Sequence, residues 1–309
     1  MEVPSILTTA GSLARHNQDK HDMTILVIGA TGHVGQHVSR QLVAAGDMPR
    51  VLIRDVEKIR NLLPQGSYEF AKGDFFDGDA LDAAMEGVEA VFMLTVDAYA
   101  DDLTYAQNIV NSARKMGVKR IVLLSCPRAD SSSDVPFTRW HGEAEDMVRA
   151  SGLQYVFLRP DWFMDNFQYY VINGELAMPF GTGRNSFVAA EDIAAVAVAA
   201  LKDAKFAGRT FSITGPEAFD HEQVVSVISE VTGKSCTYKD LTPDEFTERK
   251  LAEGWPEETI DQYIQITQYM RDGEIWGPTT DVQEVTGRSP KTLKDFFVDN
   301  KAHFTAACG

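Results

Sequence analysis

A short apolar run, TILVIGA (Thr24–Ala30), leads into the glycine-rich stretch GATGHVG (Gly29–Gly35), after which Val34, Val38 and Leu42 recur every four residues. The run reads as a buried strand and the recurrence as one face of a helix. A strand that turns into a helix through closely spaced glycines leaves few folds open. Gly29 allows the tight turn, Gly32 lets backbone approach a pyrophosphate, and Gly35 lets helix and strand pack closely. The helix start then offers its N–H groups to phosphates. A purely structural turn is the alternative. The strand before, the helix after and the repeat downstream favour a dinucleotide site.

That repeat continues. RVLIRD (Arg50–Asp55), YEFAKGD (Tyr68–Asp74), AVFMLT (Ala90–Thr95), RIVLLSC (Arg120–Cys126) and LQYVFLRP (Leu153–Pro160) read as strands with helical periods between them. Strands apolar on both faces, alternating with helices, argue an α/β class: a doubly wound parallel-sheet Rossmann fold. After Pro160 the order changes. DWFMDNFQYY is aromatic-rich, and EDIAAVAVAALKD places Ile193, Val196, Ala197, Ala200 and Leu201 on one helix face. GRTFSIT is strand-like. Asp220 with Gln223, and Thr242 with Glu245, are helix-start pairs, and a further helix lies near TLKDFFVDNKAHF. The expected organisation is a flexible N-terminal extension over 1–22, a nucleotide-binding core over 23–160, and a smaller, mostly helical substrate lobe over 161–309 with some segments returning to the core. Met23 is an alternative start.

A net charge of −16 disfavours nucleic acid and anionic membranes as partners. No apolar run reaches the roughly 18–20 residues that span a bilayer, and the N-terminus lacks the basic start and apolar stretch of a secretion signal. The expectation is a cytoplasmic monomer or homodimer acting on a small molecule. Cys126, Cys236 and Cys308 show no CxxC spacing and read as buried or idle thiols. His33 and His37 stand four apart, but no third ligand has suitable spacing, so no metal is expected.

The spacing GxxGxxG resembles the short-chain dehydrogenase/reductase superfamily. The opening TILVIGATGHVGQHVSRQLVAAG, the middle RWHGEAEDMVRASGLQYVFLRPDWFMDNF and the end GPTTDVQEVTGRSPKTLKDFFVDN are similar to its NmrA-like group, over essentially all of Met23 to Phe304. The resemblance implies an NADP(H) site made by Gly29, Thr31, Gly32, His33, Val34 and Gly35, with Asp74 and Phe75 of GDF at the adenine. Leu94, Thr95 and Val96 would flank the middle of the cofactor, with Pro160 and His141 beyond. At the end of the second strand Arg54 would pair with a 2′-phosphate, or is an ordinary exposed arginine. Asp55 either serves an NAD ribose or starts the next helix. Together these favour NADP.

The superfamily's proton-handling pair is YxxxK on the helix after the fifth strand. Alignment on Glu145 and Ser151–Leu153 puts Phe137 at the tyrosine position and His141 at the lysine position. The literal YxxxK at Tyr68–Lys72 lies on the third strand and is coincidental. His141 has three readings: a contact to the nicotinamide ribose, a proton donor near neutral pH, or a helix-face histidine bonded to backbone. Ser125 matches the superfamily's serine, or is a strand-end residue bonding a turn. Beyond the strand ends, Trp162, Phe163, Asn166, Phe167 and Tyr170 are candidate substrate contacts, or core, as aromatic clusters more often are, and Tyr169 and Tyr170 are the local phenols that could donate a proton.

A ketone needs a proton as its alkoxide forms, and a missing general acid costs about 10²- to 10⁴-fold in rate. The altered pair therefore favours an NADP(H)-dependent reductase of a conjugated acceptor of quinone, enone, iminium or dye type. The resemblance also admits a non-catalytic NADP(H)-sensing regulator that binds a protein partner, or an isomerase or cyclase reusing the fold.

Overall fold

The computed structural model describes residues 23–94, 103–271 (side chains of 269 and 270 apart) and 277–309. The expected N-terminal extension, and Thr95 and Val96, lie outside the described residues.

The strands are β1 (Ile25–Ile28), β2 (Arg50–Ile53), β3 (Glu69–Lys72), β4 (Ala90–Leu94), β5 (Arg120–Leu124), β6 (Gln154–Pro160), β7 (Val171–Ile172), β8 (Glu175–Met178), β9 (Arg209–Ile213) and β10 (Thr237–Asp240). The helices are α1 (His33–Ala44), α2 (Val56–Arg60), α3 (Gly78–Met85), α4 (Thr104–Lys115), α5 (Pro136–Ala150), α6 (Phe167–Tyr170) and α7 (Ala190–Lys202). They continue with α8 (His221–Thr232), α9 (Pro243–Ala252), α10 (Glu257–Arg271), α11 (Asp281–Thr286), α12 (Leu293–Asp299) and α13 (Lys301–Ala307).

Seven strands form one sheet in the order β3-β2-β1-β4-β5-β6-β9, every pair parallel. Successive side chains of a strand point to opposite faces, and here each face has its own core. Ile25, Val27, Phe92, Val122, Val156 and Leu158 share one core with α1 and α7. Leu26, Ile28, Val91, Met93, Ile121, Leu123 and Phe157 share the other with α3, α4 and α5. The strands read as unbroken apolar runs for this reason: both faces are covered. The alanines of α7 let it lie close to the sheet and to α1, where Gln41 Nε2 donates to Glu191 O at 2.8 Å.

Beyond Pro160 a third core gathers the aromatic segment with α8, α9, α10, α12 and α13. This lobe is helical apart from a three-stranded sheet in the order β10-β8-β7. β7 and β8 form an antiparallel hairpin closed by Asn173 and Gly174, at φ 51° and 74°. Two positive-φ residues make the turn whose twist matches the flanking strands. Both capping pairs are present: Asp220 with Gln223 at α8, and Thr242 with Glu245 at α9. The single helix expected near TLKDFFVDNKAHF is two, α12 and α13, meeting at Asn300. After the lobe begins, α7, β9 and α11 return to the large sheet.

Candidate functional site

The glycine loop is shaped by what it cannot carry. Gly29 sits at φ 75°, and a Cβ there would lie 2.0 Å from Leu94 Cδ2. A Cβ on Gly35 would lie 2.1 Å from Gly29 O, so the first turn of α1 packs onto the loop backbone. Gly32 caps α1 without a side-chain bond, and the first helical bond runs from Gln36 N to Gly32 O at 3.0 Å. The N–H groups of the first turn therefore have no partner within the helix. A bare, positively polarised helix start with an open Gly32 fits a pyrophosphate.

At the end of β2, Arg54 is exposed and pairs with Asp74 Oδ2 at 3.6 Å. An exposed pair at that distance holds the guanidinium weakly. Asp55 is engaged elsewhere: it caps α2, accepting from Glu57 N at 3.0 Å. Of the two roles open to it, the structure shows the helix start. Asp74 Oδ1 accepts from Phe76 N at 3.0 Å, and Phe75 rests on Tyr105 with ring centroids 5.9 Å apart.

A cavity of about 570 Å³ opens at the C-terminal ends of β4, β5 and β6. One end is walled by Gly32, His33, Val34 and Gly35, with Leu94 beside them. Ser125, Phe137, His141 and Pro160 line the middle. Trp162, Phe163, Asn166 and Tyr170 line the far end together with Tyr263 of α10.

Phe137 and His141 stand on one face of α5, ring centroids 4.7 Å apart. The rotation of α5 is set one residue on. A Cβ on Gly142 would lie 2.2 Å from the backbone of Asp130 and Ser131, so only glycine lets the helix seat there. His141 is buried and faces the cavity.

Ser125 Oγ donates to Glu145 Oε1 at 2.7 Å. The same buried carboxylate takes Arg159 through Nε at 2.8 Å and Nη2 at 2.6 Å. Glu145 holds the Arg159 guanidinium above its ordinary range by this hydrogen bonding. The serine proton is thus committed to a carboxylate, and its oxygen is left to accept. Sequence reasoning used Glu145 only as an alignment landmark. Asp161, at the end of β6, accepts from Trp162 N, Asn185 Nδ2 and Ser186 N, and burial pushes its carboxyl up.

Two expected site residues stand elsewhere. Phe167 is a core residue of the lobe, 1% exposed and packed on Phe187 and Phe297 at 5.0 and 5.9 Å, so it does not wall the cavity. Its side chain belongs to the third core instead. Tyr169 is 62% exposed and lies against the His33 ring at 5.7 Å, outside the cavity lining.

The wall contributed by α10 was not foreseen. Thr259, Gln262, Tyr263 and Ile266 follow the i, i+3, i+4, i+7 spacing of one helix face and line the cavity with Trp255. The spacing alone marks a helix face, not what it faces. Tyr263 Oη donates to Tyr170 Oη at 2.5 Å. Also unforeseen, burial first, then the neighbouring Cys308, pushes the Cys236 thiol up to about 12. Among the described residues, no group of three His, Cys, Asp or Glu is placed to hold a metal, and no helix is long and apolar enough to cross a membrane.

A parallel sheet, a bare glycine-lined helix start and an apolar cavity running on from it define a Rossmann-type dinucleotide-binding protein. Residues 29–204 match a family model described as NAD(P)H-binding. An NAD(P)H azoreductase of Xenophilus azovorans is 32% identical over 92% of this chain and 100% of its own. The triphenylmethane reductase of Citrobacter sp. shares the fold with a TM-score of 0.77 at 25% identity, across 90% of this chain and 99% of its own. NmrA, a negative transcriptional regulator solved in complex with NADP, has a TM-score of 0.76 at 17% identity across 93% and 98%, a likeness of fold. The chain belongs to the NAD(P)H-binding family whose model it matches, and it is similar, at 23% identity over 91% of its length, to an NmrA-like family domain-containing oxidoreductase of Aspergillus flavus. Its cofactor class is NAD(P)H.

Proposed function

We propose that this chain is an NAD(P)H-dependent oxidoreductase, with NADP(H) preferred, that reduces a conjugated small molecule of the quinone, azo or dye type. The observation that carries this reading is the continuity of the cavity. One space of about 570 Å³ joins the glycine loop to an aromatic wall, so a flat acceptor can lie beside a bound nicotinamide. The names of the relatives point the same way: an azoreductase, a quinone oxidoreductase and a triphenylmethane reductase.

When bound, the cofactor supplies a hydride. The chain's own residues do the rest. The first turn of α1 and the loop Gly29–Gly35 hold the phosphates, with Thr31, His33 and Val34 along them. Arg54 meets the 2′-phosphate, the acid beside it being engaged as a helix cap. His141 and Pro160 border the nicotinamide end, where Ser125 offers an acceptor oxygen fixed by Glu145. Phe137 fills the place of a proton donor without having a proton to give, so orientation and exclusion of water carry the step. Trp162 and Phe163 present flat apolar faces to the acceptor, and Asn166 a polar contact. Residues 23–160 hold the cofactor and most of 161–309 shapes the acceptor site.

The test is loss of NADPH absorbance with a panel of quinones, azo compounds and cationic dyes. Turnover with at least one class is expected. Tight NADPH binding with no turnover anywhere would instead identify a cofactor-sensing regulator. Arg54→Ala should weaken NADPH by about tenfold or more, as expected for loss of a charge-assisted phosphate contact, and leave NADH nearly unchanged. Equal weakening of both removes the 2′-phosphate role.

A further inference from the structure

Tyr170 and Tyr263 are two phenols on the wall of the cavity, brought together from α6 and α10. Tyr263 Oη donates to Tyr170 Oη. Tyr263 is held in place by Phe246, stacked at 5.5 Å, and by the edges of Trp162 and Trp255, each at 6.2 Å. Around Tyr170 stand Phe167 and Phe180, which accept no ordinary hydrogen bond. Among the described residues, the Tyr170 hydroxyl has no acceptor for its own proton. A buried hydroxyl without an acceptor is costly unless a ligand supplies one.

We infer that Tyr170, polarised by the hydrogen bond from Tyr263, is a hydrogen-bond donor that stabilises negative charge building on a neutral conjugated acceptor, so the site selects quinone- and azo-type acceptors over cationic dyes. This rests on the reductase reading above. Addition of a hydride to a quinone moves a C=O π pair onto oxygen and leaves a hydroquinone monoanion, which takes its proton from solvent once it leaves the cavity. Tyr170 keeps its own proton: burial holds the phenol up at about 12, too weak an acid to give it away but an able donor. A donor whose oxygen also accepts a hydrogen bond is strengthened by it. A cationic dye behaves differently. Hydride addition neutralises it and creates no anion, so the donor has nothing to stabilise. Only interactions stronger in the transition state than in the ground state raise the rate.

The experiment compares Tyr170→Phe and Tyr263→Phe with the unaltered chain at saturating NADPH, on a neutral para-quinone and on a cationic triphenylmethane dye. Tyr170→Phe should lower kcat on the quinone about 100-fold, the size of effect seen when one such donor is lost. Its effect on the dye should be at least tenfold smaller. Tyr263→Phe should show the same selectivity to a lesser degree. A second readout needs no turnover: titration of para-nitrophenol bound to the protein without cofactor. Binding should lower the apparent pKa of the nitrophenol, and Tyr170→Phe should abolish the shift in protein that still unfolds cooperatively. Equal losses on quinone and dye, or an unchanged nitrophenol titration in Tyr170→Phe, overturn the inference. If no acceptor is turned over, the reductase reading fails by itself, and the nitrophenol titration still decides whether Tyr170 is the donor.

Discussion

His221 opens α8 with neither ring nitrogen hydrogen-bonded, 1% exposed. Phe180 stacks on it at 4.4 Å, Phe187 and Phe167 meet it edge-on, and Tyr238 leans over it from β10. Asp240 is the charged group that favours its protonation, and it is outweighed: burial lowers the imidazole from 6.5 to about 3. The folded chain thus keeps His221 neutral while the unfolded chain protonates it. Stability from this residue is whole above pH 6.5 and is lost as pH falls toward 3. The full loss is on the order of 5 kcal/mol. Urea midpoints between pH 7 and pH 4 should fall less steeply for His221→Phe than for the unaltered chain, and parallel slopes would show that the ring titrates normally. At this scale the glycine loop was legible and the Ser125–Glu145–Arg159 cluster was not. The loop's chemistry resides in its backbone, so the residue types themselves carry it. The cluster joins residues 14 and 20 positions apart, and their meeting depends on how α5 lies across β5 and β6.

Among the elements, strands buried on both faces were legible because their apolar runs have no polar alternation to confuse them. The β7–β8 hairpin was overlooked although Asn173–Gly174 is a strong turn signal, because strands this short sit inside an aromatic-rich stretch that reads as pocket wall. Its glycine has two tasks. Gly174 holds φ 74°, and its backbone joins three pieces of the lobe: its N–H donates to Ala307 O and its O accepts from Thr237 N, each at 2.9 Å. A Cβ there would lie 3.0 Å from Ser235 O. Gly174→Ala should therefore cost about 1–2 kcal/mol from the left-handed backbone alone, read as a lower midpoint in denaturant with the slope unchanged. A matching Gly233→Ala at the end of α8, where a Cβ meets nothing within 4 Å, separates the backbone effect from the clash.

In the whole molecule the large sheet is completed only by chain that follows the lobe's first segment. β9 forms its edge and α7 covers Val122, Val156 and Leu158. A chain stopped after Pro160 leaves that face bare, and a core face of this kind is worth roughly 1.5–3 kcal/mol for each large side chain it exposes. Residues 1–160 alone should be insoluble or lack a cooperative thermal transition, and a sharp transition in circular dichroism would show that the half is self-sufficient. The interleaving also bears on how such a molecule can be rebuilt. The lobe is written in three stretches, through α6 to β8, α8 to α10, and α12 to α13, with α7, β9 and α11 of the sheet spliced between them. Exchanging the acceptor site with that of a relative by a single crossover would therefore pair one parent's lobe with a sheet edge from the other. Recombination that respects the spatial boundary needs a junction at each passage, so in this architecture new specificity comes more readily from substitutions within the cavity wall than from exchanged segments.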